Sequence, residues 1–458
     1  MNLLLIKNGM VVTSEKSEKK DIRIKDEKIV EINYNLKPLE NEEVIDAEGK
    51  LVLPGVIDSH THFSLHSRGT VTVDDFYWGG RSAAFGGVTT HIDFADIENG
   101  SLIYGLNKRF KETYDAVIDF HFHMVINDEF DPIKDDYQLK ELRNYGISSL
   151  KAFTTYKDIY MLSQEKWEPL FKKARENDLI VAVHAEDDEI IQRNISKYAF
   201  ENKLDVCYHP DIRSDQAEEK AVRNMCKLAK KVGGSLYIVH LSSKKGYEVI
   251  KEFKNFEAND TFNLYVETCP HYLLLTREVL EGERARLFLM TPPLREKEDN
   301  QALWNGIKDG VIDVIATDHC AYSKEQKFQG KNSLDIFPGI AGVETLLPLV
   351  YTYGVKRGIV NVNKLVDLLS TNPAKIYKLF PRKGTISEGS DADLVIFDPH
   401  IKVVLTDKIT HSKCGYTPFN GFEVEGMPIM TILRGKVIVK NGEFKGEKGF
   451  GKFIKTNY

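Results

Sequence analysis

The chain has 458 residues, of which 42% are hydrophobic and 28% are charged, and its formal net charge at pH 7 is -6. This amino-acid composition, with 32 Gly and 15 Pro, excludes a collagen-like, fibrous or intrinsically disordered chain. The mildly acidic balance and the lack of a long Lys/Arg block argue against nucleic acid as a partner. The length exceeds the roughly 250–300 residues that one hydrophobic core serves, so we expect a large domain and a smaller one.

The amino terminus begins MNLLLIKNGMVV, and its apolar stretch is short and soon interrupted by polar residues. We therefore expect a strand and a turn there, without a signal sequence or a membrane span. The cysteines are odd in number, scattered and without a CxxC spacing; they are Cys207, Cys226, Cys269, Cys320 and Cys414. This distribution argues against a disulfide framework and against a thiolate zinc site, and it predicts a protein of the reducing cytoplasm.

Both ends of the chain are predicted to be rich in β-strands. Residues 1–52 alternate short apolar runs with turn signals and contain no long helical pattern, and the segment from residue 384 onward does the same. Neither end is large enough for a core of its own. We therefore predict one small β-sandwich domain built from residues 1–52 and 384–458, the latter including the tail, around a central domain of residues 53–383.

Within the central domain one theme recurs, namely an apolar run rich in Val, Ile and Phe, then a loop, then a charged helical pattern. The eight runs, in chain order, are LVLPGVIDSH, VTTHIDFA, VIDFHFHMVI, ISSLKAFTT, LIVAVHAE, SLYIVHLSS, FNLYVETCP and VIDVIATDH. Eight successive strand and helix units predict an α/β protein with a (β/α)8 barrel of the TIM type. Active-site residues of this fold lie at the carboxyl ends of the strands.

Six residues with suitable chemistry stand at the downstream ends of these runs. They are His60, His62, Lys151, His184, His240 and Asp318. Imidazoles and carboxylates suit divalent first-row metals, and their coincidence at matching places predicts a metal site. Taken singly, each histidine is better explained as a buried core residue. For the second His-x-His pair, His121 and His123, we expect either such a structural role or a role next to the metal ligands, because further strand residues follow it.

Lys151 is the most informative of the six because it lies between Leu150 and Ala152 in an apolar run. Burial lowers the pKa of an amine and favours the neutral form, which can attack carbon dioxide to give a carbamate. A lysine carbamate is a carboxylate on a long arm and can bridge two cations. The alternative is a lysine that reaches solvent at the barrel mouth or pairs with a carboxylate. The surrounding histidines favour the carbamate.

At these residues the chain resembles the cyclic amidohydrolases of the dihydropyrimidinase and hydantoinase type, over nearly its whole length. The motifs that carry the resemblance are HTHFSLHSRGTVTVDDFYWGGRSAAFGGVTTHIDFA, SSLKAFTTY, VAVHAEDDE, IVHLSS, MTPPLREK, ATDHCAY and GTISEGSDADLVIFDP. The resemblance implies that the six residues bind two divalent ions, commonly Zn2+, with Mn2+, Co2+ and Fe2+ as alternatives. It also implies that CO2 carboxylates Lys151 and that the chain forms a homo-oligomer, a tetramer or a dimer.

The same resemblance suggests three residues that contact substrate. It assigns Tyr156 as the donor to the developing oxyanion, a role that a phenol can fill, whereas without it Tyr156 would be an aromatic residue of the barrel rim. Thr291 stands where the family carries a serine that contacts substrate through its backbone. Pro338 stands where dihydropyrimidinases carry an asparagine that contacts substrate, and this departure leaves the exact ring open.

Related cyclic amidohydrolases are the nearest alternatives. The segments DIFPGIAGVETLLPLV and ETCPHYLLL, the latter with His271, look closer to dihydroorotases, allantoinases and L-hydantoinases. Ser64 argues against a dihydroorotase, which has an arginine there to clamp the substrate carboxylate. GTVTVDDF after the metal motif argues against an allantoinase. The roles of His271 and His319 are not assigned.

The expected reaction is the ring opening of a dihydropyrimidine or a 5-substituted hydantoin, a small cyclic amide or ureide, to an N-carbamoyl amino acid. A metal-bridging hydroxide would attack the carbonyl, Tyr156 and one metal would hold the oxyanion, and Asp318 would carry the proton to the leaving nitrogen. The alternative from another class is a non-catalytic interaction protein on the same scaffold. The complete set of six ligands argues against it.

Overall fold

The computed structural model describes residues 3–254 and 262–456 of the chain. Its central feature is an eight-stranded sheet in which each strand lies next to its neighbour in chain order, with parallel pairing. The strands are Val56–Asp58, Val88–Ala95, Asp119–Val125, Ser149–Phe153, Ile180–His184, Gly234–Ile238, Phe262–Thr268 and Val314–Ile315. Seven lie within the predicted runs and Gly234–Ile238 starts one residue before its run, and the order is that of a (β/α)8 barrel, as expected.

The second and third barrel strands show why the sequence signal is a continuous apolar run. Every residue of Val88–Ala95 and of Asp119–Val125 is buried, as is typical of parallel strands that are covered on both faces. The histidines of the third strand are enclosed in this layer. The Nδ1 of His121 lies 2.9 Å from the carbonyl oxygen of Ile454, and the Nδ1 of His123 lies 2.6 Å from the Ser149 hydroxyl.

Helical segments occupy most connections between the barrel strands and follow the last of them. The α-helices are Trp78–Phe85, Leu102–Glu112, Tyr137–Tyr145, Gln164–Glu176, Asp188–Phe200, His209–Ile212, Asp215–Val232, Lys244–Lys254, Pro270–Leu274, Lys297–Lys308, Lys324–Gln329, Leu346–Val350, Val362–Val366 and Asn372–Ile376. The 3-10 and π turns are Val206–Tyr208, Arg277–Leu280, Ala285–Phe288, Tyr351–Val355 and Asp367–Thr371. Of the helices in residues 3–254 and 262–456, none combines the length and the apolar character that a bilayer crossing requires.

The helix Asp215–Val232 illustrates how a charged pattern becomes a helix with a buried face. Ala217, Ala221, Met225 and Ala229 recur every four residues and are buried. Residues at this spacing lie on one side of a helix, so the apolar positions form a stripe that packs inward, while the lysines of the helix are not buried. The helix ends at Gly233, whose φ of 82° suits a glycine at this position.

Two further sheets contain strands from both ends of the chain. The seven-stranded sheet has the order Glu443–Phe444, Lys436–Lys440, Glu423–Leu433, Leu394–Val404, Leu51–Pro54, Met10–Val12 and Ser17–Lys19. The four-stranded sheet has the order Lys28–Asn33, Asp21–Lys25, Leu3–Lys7 and Glu43–Asp46, and a two-stranded hairpin is formed by His66–Ser67 and Thr70–Val71. The predicted small β domain built from both termini is confirmed.

The two larger sheets share one apolar core. Ile6 and Ile24 of the four-stranded sheet and Val52, Ile396 and Ile432 of the seven-stranded sheet belong to the same cluster of buried side chains. Burial of an aliphatic side chain stabilises a fold by about 1.5–3 kcal/mol. A core shared between two sheets is the arrangement of a β-sandwich.

The chain also divides into two compact units. Unit 1 comprises Met1–Ile92, Thr113–His121 and Ala341–Tyr458, and unit 2 comprises Asp93–Glu112 and Phe122–Ile340. Unit 1 contains the two larger sheets and the first barrel strand, and unit 2 contains the fourth to eighth barrel strands. The predicted domain limits separate the β domain from the barrel, whereas the two units are defined by their internal contacts. The predicted limits therefore stay predictions.

Candidate active site

Four of the six predicted ligands belong to unit 2. They are Lys151, His184, His240 and Asp318. Lys151 lies within the fourth barrel strand and His184 is the last residue of the fifth, while His240 and Asp318 follow the sixth and eighth strands closely. All four therefore lie at or near the carboxyl ends of barrel strands, where this fold places its active sites.

The amine of Lys151 is enclosed by aromatic rings. The residue is 1% exposed, and its Nζ lies 5.1 Å from the ring centroid of Phe94 and 5.0 Å from that of Phe153. Burial lowers the pKa of Lys151 below the ordinary lysine value, although the negative charges of Asp318 and Glu267 act in the opposite direction. A larger neutral fraction of the amine follows, and this is the form that reacts with carbon dioxide.

Two histidines of unit 2 lie side by side. The rings of His184 and His240 have centroids 4.6 Å apart and meet edge to face, and both residues are nearly fully buried. Burial lowers the pKa of His184, so its ring is neutral at physiological pH. A neutral imidazole is the form that binds a metal ion.

Glu186 determines which nitrogen of His184 is available. Its Oε2 lies 2.7 Å from His184 Nε2. Although burial alone would raise the pKa of Glu186, the Arg213 guanidinium and His184 hold it well below its usual range, so Glu186 is a carboxylate and accepts the hydrogen bond. The Nε2 of His184 therefore carries the proton, and Nδ1 keeps the lone pair that a metal ion requires.

Glu267 is a residue of this region that the sequence analysis missed. It is fully buried on the seventh barrel strand, accepts a hydrogen bond from the Tyr237 hydroxyl at 2.8 Å and another from the backbone N–H of His240 at 3.1 Å. Burial raises the pKa of its carboxyl, and the charge of Lys151 opposes this. A charged residue inside the apolar run FNLYVETCP was the signal that could have identified it.

Three of the predicted site residues have strained backbone conformations. The φ angles of Tyr156, His240 and Asp318 are 67°, 38° and 50°. A residue with a side chain rarely adopts this left-handed region, and holding it there costs on the order of 1–3 kcal/mol. Such strain persists only where the surroundings enforce it, and it is common at functional sites. This backbone observation supports the site independently of side-chain chemistry.

The other two predicted ligands, His60 and His62, belong to unit 1 and follow the first barrel strand. Their rings have centroids 5.2 Å apart, and His60 is 1% exposed. Between them, Thr61 directs its hydroxyl to His91 Nδ1 at 2.8 Å and its backbone N–H to the carbonyl of Ile92 at 3.1 Å. This is the alternation of an extended segment, so the two histidines leave the chain on the same side, as predicted.

The three predicted substrate contacts also lie in unit 2. The ring of Tyr156 has its centroid 5.4 Å from that of His184. The segments of Thr291 and Pro338 are neighbours, because the N–H of Gly339 donates to the carbonyl of Leu289 at 3.0 Å. The Cys320 N–H, two residues beyond Asp318, in turn donates to the Ile340 carbonyl at 2.8 Å.

Unit 1 contains a cluster of acidic residues. Carboxylate oxygens of Asp119, Asp391 and Asp393 lie within 4.8 Å of one another. The cluster is neutralised by Lys383, whose Nζ lies 2.6 Å, 3.1 Å and 2.5 Å from oxygens of the three residues in that order. An ammonium group thus occupies the place that a cation would take, and the cluster is structural.

Comparison with known proteins agrees with this geometry. A model described as the amidohydrolase family matches residues 51–438. The D-hydantoinase of Geobacillus stearothermophilus is 37% identical over 98% of this chain and 96% of its own length, and that of Ralstonia pickettii is 36% identical over 99% and 98%. The solved dihydropyrimidinase of Brevibacillus agri is 35% identical with a TM-score of 0.95 over 99% of both chains.

The barrel, the residues at its strand ends and these similarities together mean that the chain belongs to the amidohydrolase family. Within that family it is a cyclic amidohydrolase of the hydantoinase and dihydropyrimidinase group, and thus an enzyme. The resemblance seen in the sequence is confirmed, and the non-catalytic alternative is not supported. The donor types at the strand ends fit a metal-dependent enzyme.

Proposed function

We propose that this enzyme hydrolyses the ring of a dihydropyrimidine or a 5-substituted hydantoin and releases an N-carbamoyl amino acid. The observation that carries the proposal is Lys151, a buried amine of lowered pKa on a barrel strand next to the strand that ends in His184. The similarity to proteins named D-hydantoinase and dihydropyrimidinase supports the choice of ring.

We assign the metal ligands as His60, His62, Lys151, His184, His240 and Asp318. Together they would hold two divalent ions, Zn2+ first, with Mn2+, Co2+ and Fe2+ as alternatives, after CO2 has converted Lys151 to its carbamate. Imidazole nitrogens and carboxylate oxygens are suitable donors for these ions. When bound, such ions lower the pKa of a shared water and polarise a carbonyl.

The remaining tasks fall to side chains of the enzyme, because an amide is a poor electrophile with a poor leaving group. Asp318 accepts the proton of the attacking water and delivers it to the ring nitrogen as the bond to carbon breaks. Tyr156 donates its hydroxyl hydrogen to the carbonyl oxygen, where negative charge develops. Together the two residues supply proton transfer and charge stabilisation.

Thr291 and Pro338 hold the ring in this proposal. Proline has no backbone N–H, so Pro338 can offer the substrate only its carbonyl oxygen and its apolar ring. The asparagine that dihydropyrimidinases carry at this place has a backbone N–H as well. We therefore expect a preference for rings that present an N–H donor to Pro338, and an allantoinase- or dihydroorotase-like activity remains the second candidate.

A substrate panel tests the proposal. The enzyme is stripped with a chelator, restored with Zn2+ and bicarbonate, and assayed with dihydrouracil, hydantoins of both hands, allantoin and dihydroorotate. We expect ring opening of dihydrouracil or a hydantoin that disappears with chelation and returns with metal. Activity that is indifferent to metal, or activity confined to allantoin or dihydroorotate, would contradict it.

We also propose that the enzyme acts in the cytoplasm as a homo-oligomer, a tetramer or a dimer. All five cysteines are free thiols, which suits a reducing compartment. The oligomeric state rests on the family resemblance. Light scattering on the purified protein measures it directly, and a monomer at micromolar concentration would contradict this part of the proposal.

A further inference from the structure

Glu186 and Arg213 form a buried ion pair beside the proposed metal ligands of unit 2. Glu186 is 0% exposed and Arg213 is 8% exposed. The Nε of Arg213 lies 3.2 Å and 3.1 Å from the two carboxylate oxygens, and its Nη2 lies 2.6 Å from Oε2. This two-nitrogen fork is a geometry that arginine can form and lysine cannot.

The carboxylate of this pair has a second partner. The Oε2 atom that receives Arg213 Nη2 also accepts the hydrogen bond from His184 Nε2 at 2.7 Å. A carboxylate on the far nitrogen of a histidine fixes both the proton position and the plane of the ring. Because Arg213 fixes the carboxylate, the orientation of His184 depends on Arg213 through Glu186.

Arg213 contacts the proposed oxyanion donor as well. Its Cζ lies 5.0 Å above the ring centroid of Tyr156. A planar guanidinium over an aromatic ring is attracted by the ring electrons and packs flat against it. Tyr156 has a φ of 67°, a strained conformation that its neighbours must hold, so this contact contributes to the placement of its ring.

The backbone joins the same elements. The backbone N–H of Thr154, two residues before Tyr156, donates to the carbonyl of His184 at 3.1 Å. The Thr154 hydroxyl donates to the carbonyl of Glu186 at 2.8 Å and accepts from the Glu186 N–H at 2.9 Å. The segment that carries Tyr156 and the segment that carries His184 are therefore tied both at the backbone and through Arg213.

We propose that Glu186 and Arg213 are positioning residues that couple the orientation of the metal ligand His184 to that of the oxyanion donor Tyr156. The inference rests on the proposed function, because the roles of His184 as a metal ligand and Tyr156 as the oxyanion donor come from there. It adds that one guanidinium supports both the metal site and the hydrogen bond to the developing charge. A change in Arg213 then affects both, and a change in Glu186 affects mainly the metal site.

The first test measures metal retention and does not depend on turnover. Arg213→Lys keeps the charge but loses the fork, and Glu186→Gln keeps an oxygen for His184 but loses the charge. Loss of such a partner weakens metal affinity by about 10- to 100-fold. We therefore expect both variants, loaded with Zn2+, to lose metal to a chelator at least several times faster than the wild type, and their Co2+ forms to differ in visible absorption.

The second test is a double-mutant cycle on kcat. If Arg213 acts partly through Tyr156, Arg213→Lys should lower kcat by about 10-fold or more when Tyr156 is present. In a Tyr156→Phe background the same substitution should lower kcat clearly less, because the hydroxyl that Arg213 positions is already absent. KM should change less than kcat. If the two residues act independently, Arg213→Lys lowers kcat by the same factor in both backgrounds. That result would overturn the coupling to Tyr156.

The matched control is Arg434→Lys. Arg434 is also a buried arginine, and its Nε lies 3.2 Å from both carboxylate oxygens of Asp119. Unlike Arg213, it belongs to the structural ion-pair network of unit 1. We expect this variant to lose thermal stability while it retains metal and kcat. Should Arg213→Lys fail to fold, Glu186→Gln carries the metal test alone.

The outcomes separate the inference from the proposed function. If the wild type opens rings, and Arg213→Lys and Glu186→Gln retain metal and kcat as the wild type does, the positioning role is wrong and the proposed function stands. If the wild type binds two metal ions but opens no ring of the panel, the proposed function is wrong, and the metal-retention test still decides the link from Glu186 to His184.

Discussion

The Nζ of Lys383 lies 2.6 Å from Oδ2 of Asp119, a residue 264 positions earlier in the chain, and both side chains are buried. Asp391 and Asp393 contact the same amine. Removal of one partner from a buried ion pair leaves an uncompensated charge and costs about 3–5 kcal/mol. We expect Lys383→Met to lower the free energy of unfolding by this amount, as measured by urea denaturation.

A surface pair provides the control for that measurement. Lys445 and Glu443 are joined at 3.7 Å, with side chains 47% and 77% exposed. Exposed pairs contribute about 0–1 kcal/mol, so Lys445→Met should leave the unfolding curve almost unchanged. If Lys383→Met and Lys445→Met lower the free energy of unfolding equally, the buried Lys383 cluster does not stabilise the fold more than an exposed ion pair.

The carboxyl-terminal tail should detach in acid because of His121. Burial lowers the pKa of His121 from 6.5 to about 4, although its hydrogen bond to the Ile454 carbonyl opposes this. Between pH 6.5 and 4, His121 binds a proton in the unfolded chain but not in the folded chain. The free energy of unfolding therefore has its full value above pH 6.5 and decreases as the pH falls from 6.5 to 4, by about 3 kcal/mol in total.

The measurement compares the pH dependence of unfolding in the wild type and in His121→Gln, which keeps a hydrogen-bond donor but does not titrate. The variant should show a shallower fall between pH 6.5 and 4.5, and proteolysis of the segment around Phe453, whose ring stacks on His121 at 5.5 Å, should become independent of pH. His209, whose pKa burial lowers to about 3, titrates in both proteins and cancels. Identical slopes would contradict the prediction.

Loading of the metal site should depend on pH through Lys151. Only the neutral amine forms a carbamate, and its fraction rises with pH below the pKa of the group. We expect the rate of reconstitution of stripped enzyme by Zn2+, at a fixed concentration of dissolved CO2, to rise between pH 6 and 8. Carbon-13 bicarbonate should give a carbamate resonance that is absent from Lys151→Met, and such a resonance in the variant would show that another group is carboxylated.

Tyr156→Phe should lower kcat without loss of metal. Removal of one hydrogen-bond donor to a developing oxyanion costs about 100- to 1,000-fold in kcat. Tyr160, whose ring centroid is 6.4 Å from that of Tyr156, provides a matched control in the same loop. We expect Tyr160→Phe to keep kcat within a few-fold of the wild type. A Tyr156→Phe variant with wild-type kcat would remove this residue from the mechanism.

The barrel was predictable because most residues of its strands are buried, which makes most of these strands nearly continuous apolar runs in the sequence. The first run was harder to interpret, because LVLPGVIDSH divides into two strands of different sheets. Leu51–Pro54 joins the seven-stranded sheet, and Val56–Asp58 begins the barrel. The change occurs at Gly55, where a Cβ would lie 2.0 Å from the Thr89 hydroxyl, a crowding that only the tertiary structure reveals.

The supports of the candidate site could not be predicted from the sequence. Glu186 and Arg213 are 27 positions apart, and nothing in their spacing indicates that they meet. The positive φ of His240 is likewise a product of the fold, since its local sequence contains no turn signal that would place a histidine in the left-handed region. Residue chemistry identified the candidate ligands, while the partners that orient them depend on long-range packing.

The pairing of Pro54 with Leu394 has a consequence for protein synthesis. The strand Leu51–Pro54 leaves the ribosome about 340 residues before its partner does, and at about 5–20 residues per second this delay is on the order of 20–70 s. During that time the early strands carry an apolar face and an open edge that no later segment has yet covered. The seven-stranded sheet therefore cannot be completed until the strand Leu394–Val404 has been synthesised, and the edge of the early strands stays open until then.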